Sequence, residues 1–62
     1  MKLKHTNPSW YDYDIFFDGL RTTDVIEADT TNQYIRRPKR PDVRVYGNVN
    51  LVHKETGKMI SS

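Results

Sequence analysis

The densest chemistry in this chain of 62 residues lies between positions 36 and 44, where Arg36, Arg37, Lys39, Arg40 and Arg44 stand against the single acid Asp42. Guanidinium and ammonium groups at this spacing neutralise phosphates and release counterions, which drives nucleic-acid binding. They equally complement an acidic protein surface. Pro38 and Pro41 remove ladder donors and favour extended geometry. The segment 36–42 therefore reads as a basic, proline-containing loop able to lie along a groove. Tyr34 and Tyr46 flank it and offer rings for stacking on bases. The plain counterpart is a solvated connector whose charge serves solubility.

The other constellations offer less. Asp12, Asp14 and Asp18 place carboxylates at intervals, but a calcium loop needs glycine at its sixth position, and counting from Asp12 that position is Phe17. His5 and His53 are the only histidines and have no accompanying ligands at zinc spacing. There is no cysteine, no Gly-x-Ser-x-Gly and no phosphate-cradling glycine loop. So short a chain cannot easily wall off a cleft that excludes water and shifts carboxylate pKa values. The reading is a non-enzymatic protein without metal or cofactor. Phe16 is a candidate interface anchor. It falls on the strand face opposite Ile15 and Phe17, among Asp12 and Asp14.

The elements that must position these groups are strands. Tyr11, Tyr13, Ile15 and Phe17 alternate with Asp12 and Asp14, a period of two. Asp18-Gly19 follows, the dipeptide whose residues tolerate the positive φ of a tight hairpin. A two-residue turn pairs Phe17 with Leu20, Ile15 with Thr22 and Tyr11 with Ile26. It predicts a buried face of Tyr11, Tyr13, Ile15, Phe17, Leu20 and Ile26. The second strand runs from about Thr22 to Ala28. Asp29-Thr30-Thr31-Asn32 reads as a turn with Asn32 left-handed, and Gln33–Arg36 as a third strand. Val43, Val45, Val49 and Leu51 recur on alternate positions of one further run, with a bulge or close approach at Gly47. Glu55-Thr56-Gly57 is expected to close a last hairpin that sets Val52 opposite Ile60.

No window shows a helical period. The expectation is one small all-β domain over 11–62, of about five short antiparallel strands in a curled sheet or minimal open barrel. Residues 1–10, with Pro8, read as an irregular arm.

Six acids between Asp12 and Asp29 face one base, Arg21, so an acidic half precedes a basic one. Such asymmetry points to partner binding. A chain this short buries only about 60% of the surface its unfolded form exposes, and without disulfides self-association is a natural support. No run approaches the roughly 20 apolar residues that span a bilayer. Met1-Lys2-Leu3-Lys4-His5 lacks the apolar core of a signal peptide, and neither end carries a lipidation motif. The protein is therefore expected to be soluble and intracellular, with no membrane partner.

Phe17-Asp18-Gly19, Asp24-Val25-Ile26-Glu27-Ala28-Asp29 and Val45-Tyr46-Gly47-Asn48-Val49-Asn50-Leu51-Val52 occur in that order. Over residues 15–52 the chain resembles small uncharacterised proteins of tailed bacteriophages and prophages. It departs from them at the turn from Asp29 to Gln33, where they favour glycine and acids. The resemblance implies a phage-encoded accessory or structural protein in the bacterial host cytoplasm or associated with the virion. Its expected partner is a host or phage protein. The alternative is a small nucleic-acid-binding protein that uses residues 36–44.

Overall fold

The computed structural model describes residues 1–61. Among the described residues eight short strands run in chain order: β1 Lys2–Lys4, β2 Tyr13–Phe17, β3 Leu20–Arg21, β4 Glu27–Asp29, β5 Tyr34–Arg37, β6 Arg40–Tyr46, β7 Val49–His53 and β8 Met59–Ile60. They form two four-stranded antiparallel sheets, ordered β1-β4-β5-β6 and β3-β2-β7-β8. The all-β expectation is met. The strands number eight, and they divide into two sheets rather than closing into a barrel.

The core lies between the sheets. Leu3, Ala28 and Ile35 come from the first sheet and Ile15, Val49 and Leu51 from the second, with Val25 from the connection between β3 and β4. In the first sheet Leu3 lies opposite Ala28, and Ala28 opposite Ile35. In the second, Ile15 lies opposite Leu51 and Leu51 opposite Ile60. These rows are the inward face of a period-two alternation.

Residues 1–10 are not an irregular arm. β1 adds to the edge of β4, and its Leu3 is buried. Two charged residues around one leucine give too short an alternation to be read before its partner is known. The chain then enters a 3-10 helix over Pro8–Asp12, where proline at the first position presets φ. Tyr11 sits in that helix and is 74% exposed, so it belongs neither to β2 nor to the core. Trp10, from the same turn, packs against the core.

The Asp18-Gly19 hairpin is as expected. Both residues have positive φ, 51° and 83°, and Phe17 lies opposite Leu20. Its second strand stops at Arg21, however, and Leu20 is exposed. The left-handed residue of the next turn is Gln33 (φ 57°), not Asn32. The Asp29 carboxylate accepts from the Thr31 and Asn32 amides at 2.9 and 3.0 Å, holding those two residues in the turn. Gln33 then uses its side-chain amide as a strand residue uses its backbone. Oε1 accepts from the Val49 amide at 3.1 Å, and Nε2 donates to the Val49 carbonyl at 3.1 Å. This joins the two sheets.

Gly47 marks the close approach expected of it. A Cβ there would stand 2.6 Å from Phe17 Cζ and 2.9 Å from Asp18 Oδ1. Gly57 has positive φ, 72°, but the last hairpin pairs Val52 with Met59 and Leu51 with Ile60, one residue away from the expected register. The His53 amide donates to the Lys58 carbonyl at 2.9 Å, so Lys54 joins the loop.

Candidate binding surface: the basic β5–β6 hairpin

The segment 36–42 is not a loop. β5 and β6 are joined by a tight turn at Pro38-Lys39, which sets Arg37 opposite Arg40. Pro41 is accommodated because β6 is an edge strand, where a missing amide costs no central ladder bond. Between the pairs Ile35↔Val45 and Arg37↔Arg40 the ladder shifts. Arg36 alone on β5 faces the run from Pro41 to Arg44 on β6, a bulge.

Ala28, Ile35 and Val45 face the core, so alternation turns Glu27, Asp29, Tyr34, Arg36, Arg44 and Tyr46 to the other side of the sheet. These residues build a second, polar layer. Glu27 is buried, and its carboxylate receives the Tyr34 hydroxyl on Oε2 at 2.5 Å and Arg36 Nη2 on Oε1 at 2.8 Å. Arg36 Nη1 donates to the Pro41 carbonyl at 2.8 Å, tying the bulge down. Arg44 lies over the Tyr34 ring, 4.5 Å from its centroid, and the Tyr34 and Tyr46 rings stand 5.9 Å apart. Cation–π contact of this kind holds the guanidinium as well as burying the ring.

Burial pushes the Glu27 carboxyl up. The hydrogen bonds from Tyr34 and Arg36 and the charges of Arg36 and Lys2 outweigh it and hold the group below its ordinary 4.5. Burial and the bond to Glu27 together raise the Tyr34 phenol above its ordinary 10.0. Burial likewise pushes Asp29 up, but the Asn32 and Thr31 donors and the nearby amino terminus hold it below 3.8.

The eight residues singled out from the sequence therefore separate into four groups. Arg36 and Tyr34 are structural: one is bound in an ion pair and the other has no exposed surface, so Tyr34 cannot stack on a base. Arg44 and Tyr46 are exposed but lie with Tyr34 on the outer face. Arg37, Lys39 and Arg40 cluster at the hairpin tip, with Lys39 and Arg40 exposed and Arg37 half-buried. Phe16 belongs elsewhere. With Val52, Met59, Gly19 and Asn50 it lines a shallow apolar groove on the outer face of the second sheet. Sequence reasoning missed Glu27. Its spacing to Asp29, set against Tyr34 and Arg36 on the next strand, is the signal that could have found it.

The two histidines serve local structure. His5 Nδ1 lies 3.1 Å from the Ile26 carbonyl, and His53 Nδ1 accepts from the Glu55 and Thr56 amides at 3.3 Å. No helix among the described residues is long and apolar enough to cross a membrane. Comparison of the chain with protein-family models, with curated proteins and with solved structures finds no match.

Proposed function

We propose that the protein is a non-enzymatic binding module, an accessory or structural protein of phage type, that engages an acidic surface of another protein through the tip of the β5–β6 hairpin. The observation that carries this reading is the division of labour among the cations. Arg36 is consumed by Glu27, while Arg37, Lys39 and Arg40 project from a tight turn on an anchored strand pair. Fixed charges on a rigid support steer an oppositely charged partner at little ordering cost. The phage attribution rests on the resemblance of residues 15–52.

A protein partner is favoured over nucleic acid because, of the two aromatics flanking the cations, Tyr34 is fully buried beneath Arg44 and only Tyr46 is left exposed for stacking. The decisive experiment is affinity capture from bacterial lysate, with and without nuclease, using the parent chain and the triple variant Arg37→Ser, Lys39→Ser, Arg40→Ser. An acidic protein should be retained by the parent, survive nuclease and be lost with the variant. Retention that disappears on nuclease treatment would transfer the function to nucleic acid. Equal retention by both chains would discard the hairpin tip.

A further inference from the structure

A cavity opens between the 3-10 turn and the β2–β3 hairpin. It belongs to the second sheet, whereas the basic tip belongs to the first. Trp10, Tyr11 and Tyr13 line it together with Asp14, Arg21 and Lys54. It is open to solvent and about 130 Å³ in volume. Drug-sized ligands occupy about 300 Å³ or more, so this space takes one small molecule or one ring of a larger one. Main-chain hydrogen bonds pin its walls. The Lys54 amide donates to the Asp12 carbonyl and the Thr22 amide to the Ile15 carbonyl, each at 2.8 Å. A ligand meets a preformed shape and bears little ordering cost.

The polar groups of the cavity suit hydroxyls. Arg21 Nε and Nη2 both donate to one Asp14 oxygen, Oδ1, at 3.3 Å. Charge-assisted bonds usually run about 2.7–2.9 Å, so this pair is loosely held. Asp14 Oδ2 and Arg21 Nη1 have no protein partner among the described residues. The pair thus presents an acceptor beside donors. A hydroxyl both donates and accepts, and two neighbouring hydroxyls satisfy the carboxylate and the guanidinium together. An anion would be repelled by the Asp14 carboxylate. An apolar ligand would strip water from both charges and return nothing. Tyr11 is 74% exposed and takes no part in the core, so its ring is available to a ligand. Tyrosine and tryptophan offer an apolar body with a polar tip, which matches a ring that is apolar on its faces and hydroxylated at its rim.

We propose that this cavity binds a neutral sugar ring, a pyranose, free or as one unit of a glycan. The C–H groups of the ring pack against the aromatic wall. One hydroxyl donates to Asp14 Oδ2 and its neighbour accepts from Arg21 Nη1, while the Lys54 ammonium adds a donor. The cations of the hairpin tip take no part, so sugar binding and protein capture by the tip can each fail without the other.

Trp10 is the only tryptophan, so its fluorescence reports occupancy of the cavity. The methyl glycosides of glucose, galactose, mannose and N-acetylglucosamine are titrated in turn, with backbone amide shifts recorded alongside. At least one should move both signals and saturate with a Kd of about 1 mM. The matching disaccharide distinguishes the sources: tighter binding identifies a glycan and equal binding the free sugar, and both uphold the site. Tyr11→Ala should weaken binding about tenfold through the lost ring contact. Asp14→Asn keeps the shape, removes the charge and should also weaken it about tenfold. Both variants should melt close to the parent, because Tyr11 lies outside the core and the Arg21–Asp14 pair is exposed. Flat titrations with all four glycosides to their solubility limits would overturn the proposal. So would undiminished binding by either variant, which would put the sugar elsewhere. Inorganic phosphate should leave both signals unmoved; phosphate that binds here, and binds more tightly to Asp14→Asn, would make the cavity an anion site and overturn the proposal equally.

Discussion

The Tyr34 hydroxyl and the Glu27 carboxylate share a 2.5 Å hydrogen bond on the outer face of a sheet, where the phenol is wholly shielded from solvent and the acid nearly so. A buried carboxylate is costly unless it is paired and hydrogen-bonded. Here Tyr34 satisfies one oxygen and Arg36 the other. The charge that the sequence offers to a partner at Arg36 is spent inside the protein.

This arrangement gives stability a pH signature at both ends. Glu27 and Asp29 have folded pKa values below their ordinary 4.5 and 3.8, so the stability they contribute is present above those values. It is lost as pH falls through the lower folded values. Tyr34 has its pKa raised above 10.0, so its contribution is intact below pH 10.0 and is lost as pH rises through the folded value. Urea midpoints across the pH range should fall at both ends. In Glu27→Gln the acid limb should shrink, and an undiminished limb would assign it to other carboxylates.

Removing Arg36 should behave unlike removing its neighbours. Arg36→Ser leaves Glu27 buried without its cation and should cost about 3 kcal/mol. The triple change Arg37→Ser, Lys39→Ser, Arg40→Ser at the tip should cost under about 0.5 kcal/mol. Thermal melts of the two proteins decide it. Equal losses would mean that Arg36 contributes only as a surface cation.

The two adjacent phenylalanines should separate by face. Phe17 packs against the core, while Phe16 lines the outer groove. Phe17→Ala should cost roughly 3 kcal/mol and Phe16→Ala clearly less. Gly47→Ala should also destabilise, by roughly 1–3 kcal/mol, because its Cβ would meet the Phe17 ring and the Asp18 carboxylate that receives the Asn48 amide. Chemical denaturation of the three variants checks the order. A Phe16 variant weaker than the Phe17 variant would reverse the faces of β2.

Gly19 tests the turn by itself. It has φ 83° with nothing within 4 Å of a built Cβ, so a substitution there meets open space and a disallowed backbone. Gly19→Val should cost about 1–3 kcal/mol from conformation alone. Gly19→Asn, which tolerates the left-handed region, should cost less. Equal unfolding midpoints for the two variants would show that the turn relaxes to negative φ.

Local chemistry was legible in the sequence. Positive φ at Asp18, Gly19 and Gly57 and the tight contact at Gly47 follow from turn chemistry and from the space a hydrogen leaves. So does the single row Ile15, Val49, Leu51, since alternation acts over a few residues and needs no partner to be read. What the chain could not disclose was pairing. Leu3 becomes core only because β4 lies beside β1, and Tyr11 leaves the core because Pro8 opens a 3-10 turn before the strand begins. The basic run was visible as charge. Its division into a buried cation at Arg36, a stacked one at Arg44 and free ones at the tip depends on Glu27 and Tyr34, which reach it across strand pairs. Burial and ion pairing belong to neighbours in space, and only the assembled sheet decides which those are.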